Sequence, residues 1–166
     1  MGESGAGPDA GNFIVSQGED RVGKTFTLSE AQTMLRVLEA LLRRAQTAGE
    51  QVVELEAEMQ QLSQRIFLSG GLNVDVASAA RRRAHRDKAT QEAKDTLAEI
   101  EAIGVEVQDL EQGLLDFPCT MDGKTVMLCW KLGEDAIAHW HEPEDGFAAR
   151  KPLDGRFGKP ERERLN

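Results

Sequence analysis

The 166-residue chain is poor in cysteine and proline, with two and five respectively. Two thiols, Cys119 and Cys129, are too few for a disulfide scaffold. No proline falls between Pro8 and Pro118, so nothing in that interval blocks a long helix. No apolar run approaches the ~20 residues of a membrane-spanning helix. The N-terminus lacks a basic-then-apolar signal pattern, which predicts a cytoplasmic protein. Basic residues are in deficit: 20 Lys and Arg stand against 29 Asp and Glu, a net charge of −9. That deficit disfavours nucleic acid and anionic membrane surfaces as partners. Glycine-rich phosphate loops, Ser–His–Asp spacing and zinc-finger patterns are missing.

Apolar residues make up 40% of the chain, enough for one core. Six of the sixteen glycines lie in residues 1–24, which read as a disordered leader. Thr27 followed by Glu30 is a capping-box pattern, with Phe26 placed to staple onto Ala31. Leu28, Ala31, Leu35, Leu38, Leu42 and Ala45 then alternate spacings of three and four. The seam passes Gly49 and resumes at Val52, Leu55, Met59, Leu62 and Ile66. This heptad-like pattern predicts one coiled-coil-like helix over about 28–68, on the order of 60 Å long. Gly70-Gly71 ends it, Asn73 or Asp75 caps the next, and Gly104 closes a second helix over about 75–103. Its apolar stripe is Val76, Ala80, Ala84, Ala93, Leu97, Ile100 and Ile103, thin in the middle. Such a hairpin hides more surface by pairing with a second copy, which predicts a homodimer.

Beyond Gly104 the pattern turns to strands, over 105–112, 113–119, 125–131 and 136–141. The fold class expected is α+β: an antiparallel helical hairpin (25–104) followed by a small antiparallel β-sheet (105–153) and a polar tail (154–166). A two-residue Asp122-Gly123 turn would pair Cys119 with Val126, Phe117 with Leu128, Leu115 with Trp130 and Asp116 with Cys129. A Gly133-Glu134 turn would pair His139 with Leu128 and His141 with Val126, placing Trp140 on the Asp116 and Cys129 face. In this register Asp116 and His141 lie on opposite faces.

His139 and His141, at i and i+2 on a strand, can share one divalent metal ion, with Glu134, Glu142, Glu144 or Asp145 supplying oxygen. The plainer reading packs one imidazole and hydrogen-bonds the other. Asp116 beside Cys129 would deactivate the thiol as a nucleophile, so Cys129 reads as a small apolar residue. Arg81, Arg82, Arg83, Arg86 and Lys88 form a basic cluster. It is either an anion site or a match for a partner's acidic face or, the favoured reading, a solvated face paired with acids such as Glu50, Glu54, Glu56 and Glu58. Arg150 is placed either to clamp a carboxylate or phosphate or to pair internally with Asp116, Glu134 or Asp145.

These features resemble the bacterial and archaeal family called Domain of Unknown Function 2203. The resemblance rests on Phe26-Thr27, Glu30-Ala31 and Gly70-Gly71-Leu72. In the C-terminal run it rests on Gly104, Asp109, Gly113, Asp116-Phe117-Pro118, Asp122-Gly123, Leu128-Cys129-Trp130, Gly133-Glu134, Trp140-His141, Gly146-Phe147, Arg150 and Pro152. It covers residues 25 to about 153. It implies no activity, but it places a site in the sheet and its loops, with Asp116, Cys129, Trp130, Glu134, Trp140, His141 and Arg150 as candidate ligand-binding residues. His139 and Cys119 depart from the family pattern, which counts against the two-histidine metal site. The favoured function is a non-enzymatic dimeric module that binds a protein or small-molecule partner. The alternative is a small hydrolase, metal-assisted or acid/base, with His141 as base, Asp116 or, better placed in this register, Glu134 as its orienting acid or a ligand, and Arg150 as oxyanion or substrate clamp.

Overall fold

The computed structural model describes residues 23–71 and 75–158. The leader up to residue 22, Asn73 as the alternative cap, and the tail beyond 158 lie outside the described residues. Two helices, α1 (Leu28–Leu68) and α2 (Val76–Ile103), come first. Five strands follow: β1 (Glu106–Asp109), β2 (Leu114–Met121), β3 (Lys124–Lys131), β4 (His139–His141) and β5 (Lys151–Pro152). The fold is α+β, and the strands form one antiparallel sheet in the order β1-β2-β3-β4-β5. No helix among the described residues is long and apolar enough to cross a membrane.

Local chemistry sets the helix ends. The Thr27 hydroxyl accepts the Glu30 N–H at 3.1 Å, satisfying an otherwise unpaired first-turn donor. Phe26 just before it packs edge-on against Phe117, 5.7 Å between centroids, and its N–H donates to the Pro118 carbonyl. That contact fastens the start of α1 to the sheet. Asp75 caps α2 by accepting the Ser78 N–H, and Gly104 ends it in the left-handed conformation.

The expected seam of α1 is buried from Leu28 through Ala45, with Ala48 added, and Leu28 to Leu42 share the core with the sheet. Beyond Gly49 the same seam is only half-buried. There the molecule is a two-helix arm extending past the sheet. The predicted stripe of α2 needs correction in this arm: Val76, Ala80 and Ala84 are exposed. Ala79, Arg82, Arg86 and Ala89 are the covered positions instead. Alanine carries too little area to fix a helix's rotation. The arginine stems cover the seam while their heads reach out, and Arg82 meets Glu58 at 3.2 Å.

The β2–β3 hairpin has the expected register, with Phe117 opposite Leu128 and Asp116 opposite Cys129. Asp122 and Gly123 both take positive φ, as a tight primed turn requires. The β3–β4 register differs from expectation by one residue. Leu128 pairs with Trp140, Cys129 with His139 and Met127 with His141. The connection is not a two-residue turn. Residues 132–138 lie outside the β3–β4 ladder, and the Ile137 N–H donates to Gln32 of α1 at 2.9 Å. Trp140 therefore joins Leu115, Phe117, Leu128 and Trp130 on the helix-facing side, within the core. His139 and His141 turn to the far face with Asp116 and Cys129. The expected strands at 105–112 and 136–141 shorten to four and three residues, and β5 is an unforeseen edge strand.

Candidate functional site

The far face of the sheet buries three chemically active side chains on adjacent strands. Asp116 (β2), Cys129 (β3) and His141 (β4) are 1%, 2% and 3% exposed. Their ligating atoms all lie within 4.8 Å of one another. His141 Nε2 sits 2.9 Å from Asp116 Oδ2, and His141 Nδ1 sits 2.7 Å from the Glu142 carbonyl oxygen. A carbonyl only accepts, so Nδ1 carries a proton. Nε2 then either donates a second proton to the Asp116 carboxylate or accepts one from the protonated acid. In both forms the pair holds one shared proton and no net charge.

The electrostatics follow from burial. Burial raises the Asp116 carboxyl, and its bond with His141 only partly offsets this. Burial alone would lower His141, but the Glu142 carbonyl and Asp116 outweigh it and raise it. The Cys129 thiol is pushed up to about 11, by burial first and by Asp116 second, against a smaller opposing effect of Arg150. A thiol held so firmly protonated is no nucleophile at neutral pH.

Beside the trio lies a crevice of about 40 Å³ whose walls include Gln108 of β1 and Asp145, Gly146 and Phe147 of the segment after β4. Asp116 Oδ1 is buried there with no well-formed hydrogen bond, although the Cys129 thiol and the Gln108 amide stand near enough to lower the carboxyl slightly. An unsatisfied buried carboxylate oxygen is costly, and it seeks a donor or a cation.

The other predicted residues fall into separate groups. Glu134 accepts from Arg150 at 2.9 Å and from the Lys131 N–H at 2.7 Å. These two partners lower its carboxyl against the opposing effect of burial. Arg150 also stacks on Phe147 at 4.2 Å, so its charge is paired inside the domain. His139 Nδ1 lies 3.8 Å from Glu134. Trp130 is a core residue whose indole N–H donates to the Glu134 carbonyl at 2.9 Å. Trp140 packs against Phe157, with Lys151 over its ring at 4.7 Å. Thus the acid that meets His141 is Asp116 and not Glu134, because the register is offset by one residue.

Sequence reasoning missed Gln108 as part of the crevice. Its signal is hidden by an irregularity in the β1–β2 pairing between Val107 and Asp109. Phe147 was visible only as an aromatic after Gly146. The trio can hold a proton tightly or bind a cation. It is poorly set for acid/base turnover, since both ring nitrogens of His141 are already engaged.

The family model described as "Uncharacterized conserved protein (DUF2203)" matches residues 24–153. The chain belongs to this family. The matched span includes both helices, the whole sheet and every residue of the crevice. No curated protein and no solved structure matches the chain. The family's description assigns no activity.

Proposed function

We propose that the chain is a non-enzymatic module that binds a small ligand at the Asp116–Cys129–His141 crevice and self-associates through its helical arm. The observation that carries the binding reading is Asp116 Oδ1, buried without a partner at the wall of a small crevice. Buried polar atoms are rarely left unpaired without a reason. A crevice of about 40 Å³ fits one ion or one to two waters, not an organic cofactor. The ligand is therefore an ion, or the single polar group of a larger molecule. Full-length protein in a thermal-shift panel of ions and small polar molecules should melt higher with at least one of them. Asp116→Asn should remove that shift. A panel without any shift would sink the binding reading.

Self-association rests on a different observation, the segregation of charge along the arm. In α1 beyond Gly49 the acids Glu50, Glu54, Glu56 and Glu58 stand against Arg65 alone. In the facing part of α2, Arg81, Arg82, Arg83, Arg86 and Lys88 stand against Asp87. Among the described residues only Arg82–Glu58 pairs these two sets within the arm. A two-fold axis along the arm would set α1 of one copy against α2 of the other, acid facing base. The half-buried seam residues, with exposed Val53, would gain cover in the same assembly. Sedimentation should show a dimer at low salt that weakens as salt rises. A monomer at every protein and salt concentration would refute it.

A further inference from the structure

We infer that Asp116, Cys129 and His141 form a binding site for one borderline-soft divalent transition-metal ion, of which zinc is the type. This inference rests on the crevice reading above and names its ligand.

The donor set decides the class. Thiolate, imidazole and carboxylate together suit zinc, cobalt(II) and similar ions, whereas magnesium and calcium prefer oxygen alone. The geometry needs little change. In a tetrahedral site with bonds of about 2.0–2.3 Å, neighbouring ligand atoms stand about 3.3–3.7 Å apart. The three atoms here lie within 4.8 Å of one another, and the Nε2 to Oδ2 separation of 2.9 Å need open only by a few tenths of an ångström. An ion between them replaces the shared proton of the Asp116–His141 pair.

The surroundings are those of a metal-binding histidine. Nδ1 donates to the Glu142 carbonyl at 2.7 Å, which fixes the ring and leaves Nε2 as the ligating atom. Histidines that hold metal commonly have such an outer partner. The unpartnered Asp116 Oδ1 gives the carboxylate a second oxygen to offer. Three protein ligands leave a fourth position, and the crevice supplies it, with Asp145 at its wall. The chemistry also balances: the thiol loses its proton as the sulfur–metal bond forms, and the pair loses its shared proton to solvent. Two negative ligands then match the two charges of the ion. The two-histidine site expected from His139 and His141 is a distinct alternative, because His139 lies against Glu134 and pairs with Cys129 across the ladder.

The test uses the full chain, stripped with a chelator and dialysed, with Zn²⁺ and Co²⁺ alone as probes. One ion per chain is expected by native mass spectrometry. The cobalt form should show a near-ultraviolet thiolate-to-cobalt charge-transfer band and tetrahedral visible bands. Cys129→Ser, a near-isosteric change, should abolish the charge-transfer band and weaken Co²⁺ binding at least tenfold. His141→Ala and Asp116→Asn should weaken it similarly, and His139→Ala and Cys119→Ser should leave it intact. Failure to bind either ion at one per chain would overturn the site, as would a charge-transfer band that survives Cys129→Ser. Loss of binding in His139→Ala would overturn it in favour of the two-histidine pair. If an organic molecule shifts the melting while neither metal binds, the crevice reading stands and the metal assignment falls.

Discussion

The Asp116–His141 pair is the most consequential contact in the sheet, and a double-mutant cycle measures it. Both side chains are almost fully buried and joined at 2.9 Å. Removing one partner of a buried pair strands the other, at a cost of about 3–5 kcal/mol. His141→Ala in metal-free protein leaves Asp116 with only the weak contacts of Cys129 and Gln108, since Oδ1 has no well-formed hydrogen bond. Protonation of the acid would relieve part of this, so about 3–4 kcal/mol is expected at neutral pH. Asp116→Ala leaves Nε2 unpaired and should cost about 3 kcal/mol. The double variant strands nothing. It should lose only about 4–5 kcal/mol, a coupling of roughly 2 kcal/mol. Asp116→Asn is the sharper probe. The new amide can donate to Nε2 of a neutral imidazole while Nδ1 still donates to Glu142, so only about 1 kcal/mol is expected. Urea denaturation of the four proteins gives these values from the midpoints at constant slope. Additive single effects would refute the shared-proton account, as would an Asp116→Asn variant no more stable than Asp116→Ala.

Metal-free protein should lose stability as pH rises, from above 3.8 through Asp116, above 6.5 through His141 and above 9.0 through Cys129. Asp116, His141 and Cys129 are all raised in the folded state, so the unfolded chain releases these protons at lower pH and stability falls as pH rises. For Cys129 the window runs from its ordinary 9.0 to about 11, up to roughly 3 kcal/mol, and Cys129→Ala should flatten that part of a melting-temperature profile. Gly113→Ala should cost at least 2–3 kcal/mol by thermal or urea unfolding, because φ is +72° and the new methyl would lie 2.5 Å from Leu132 Cβ. Gly49→Ala should gain about 1 kcal/mol, since it lies within α1 with nothing within 4 Å of its Cβ position. A loss there would mean that another chain approaches the arm at that point.

What the sequence could reveal depended on how many independent signals agreed at each place. The first half of α1 was legible because four leucines and two alanines recur at helical spacing, capped by Thr27. The first half of α2 was not, because its candidates were alanines whose burial differs little between one rotation and the next. The β2–β3 register was legible because Asp122-Gly123 admits one tight turn. Gly133-Glu134 looked similar, but the observed path carries long-range contacts, among them the Ile137 N–H bonded to Gln32, 105 positions away in sequence. No local pattern reports such a contact.

The consequence of that offset is out of proportion to its size. Side chains on a strand alternate with period two, so a shift of one residue exchanges the faces completely. In one register Trp140 meets Asp116 and Cys129, and His141 packs toward the helices. In the observed register the tryptophan enters the core and the histidine meets the acid and the thiol. The spacing of bulk favours the second arrangement, because a tryptophan on the helix side covers far more apolar area than a histidine. Each of the three residues was identifiable as a candidate from its chemistry alone. That the acid and the histidine share one proton, and that all three have the spacing to hold one ion, is a property of strand register and of the connection that sets it.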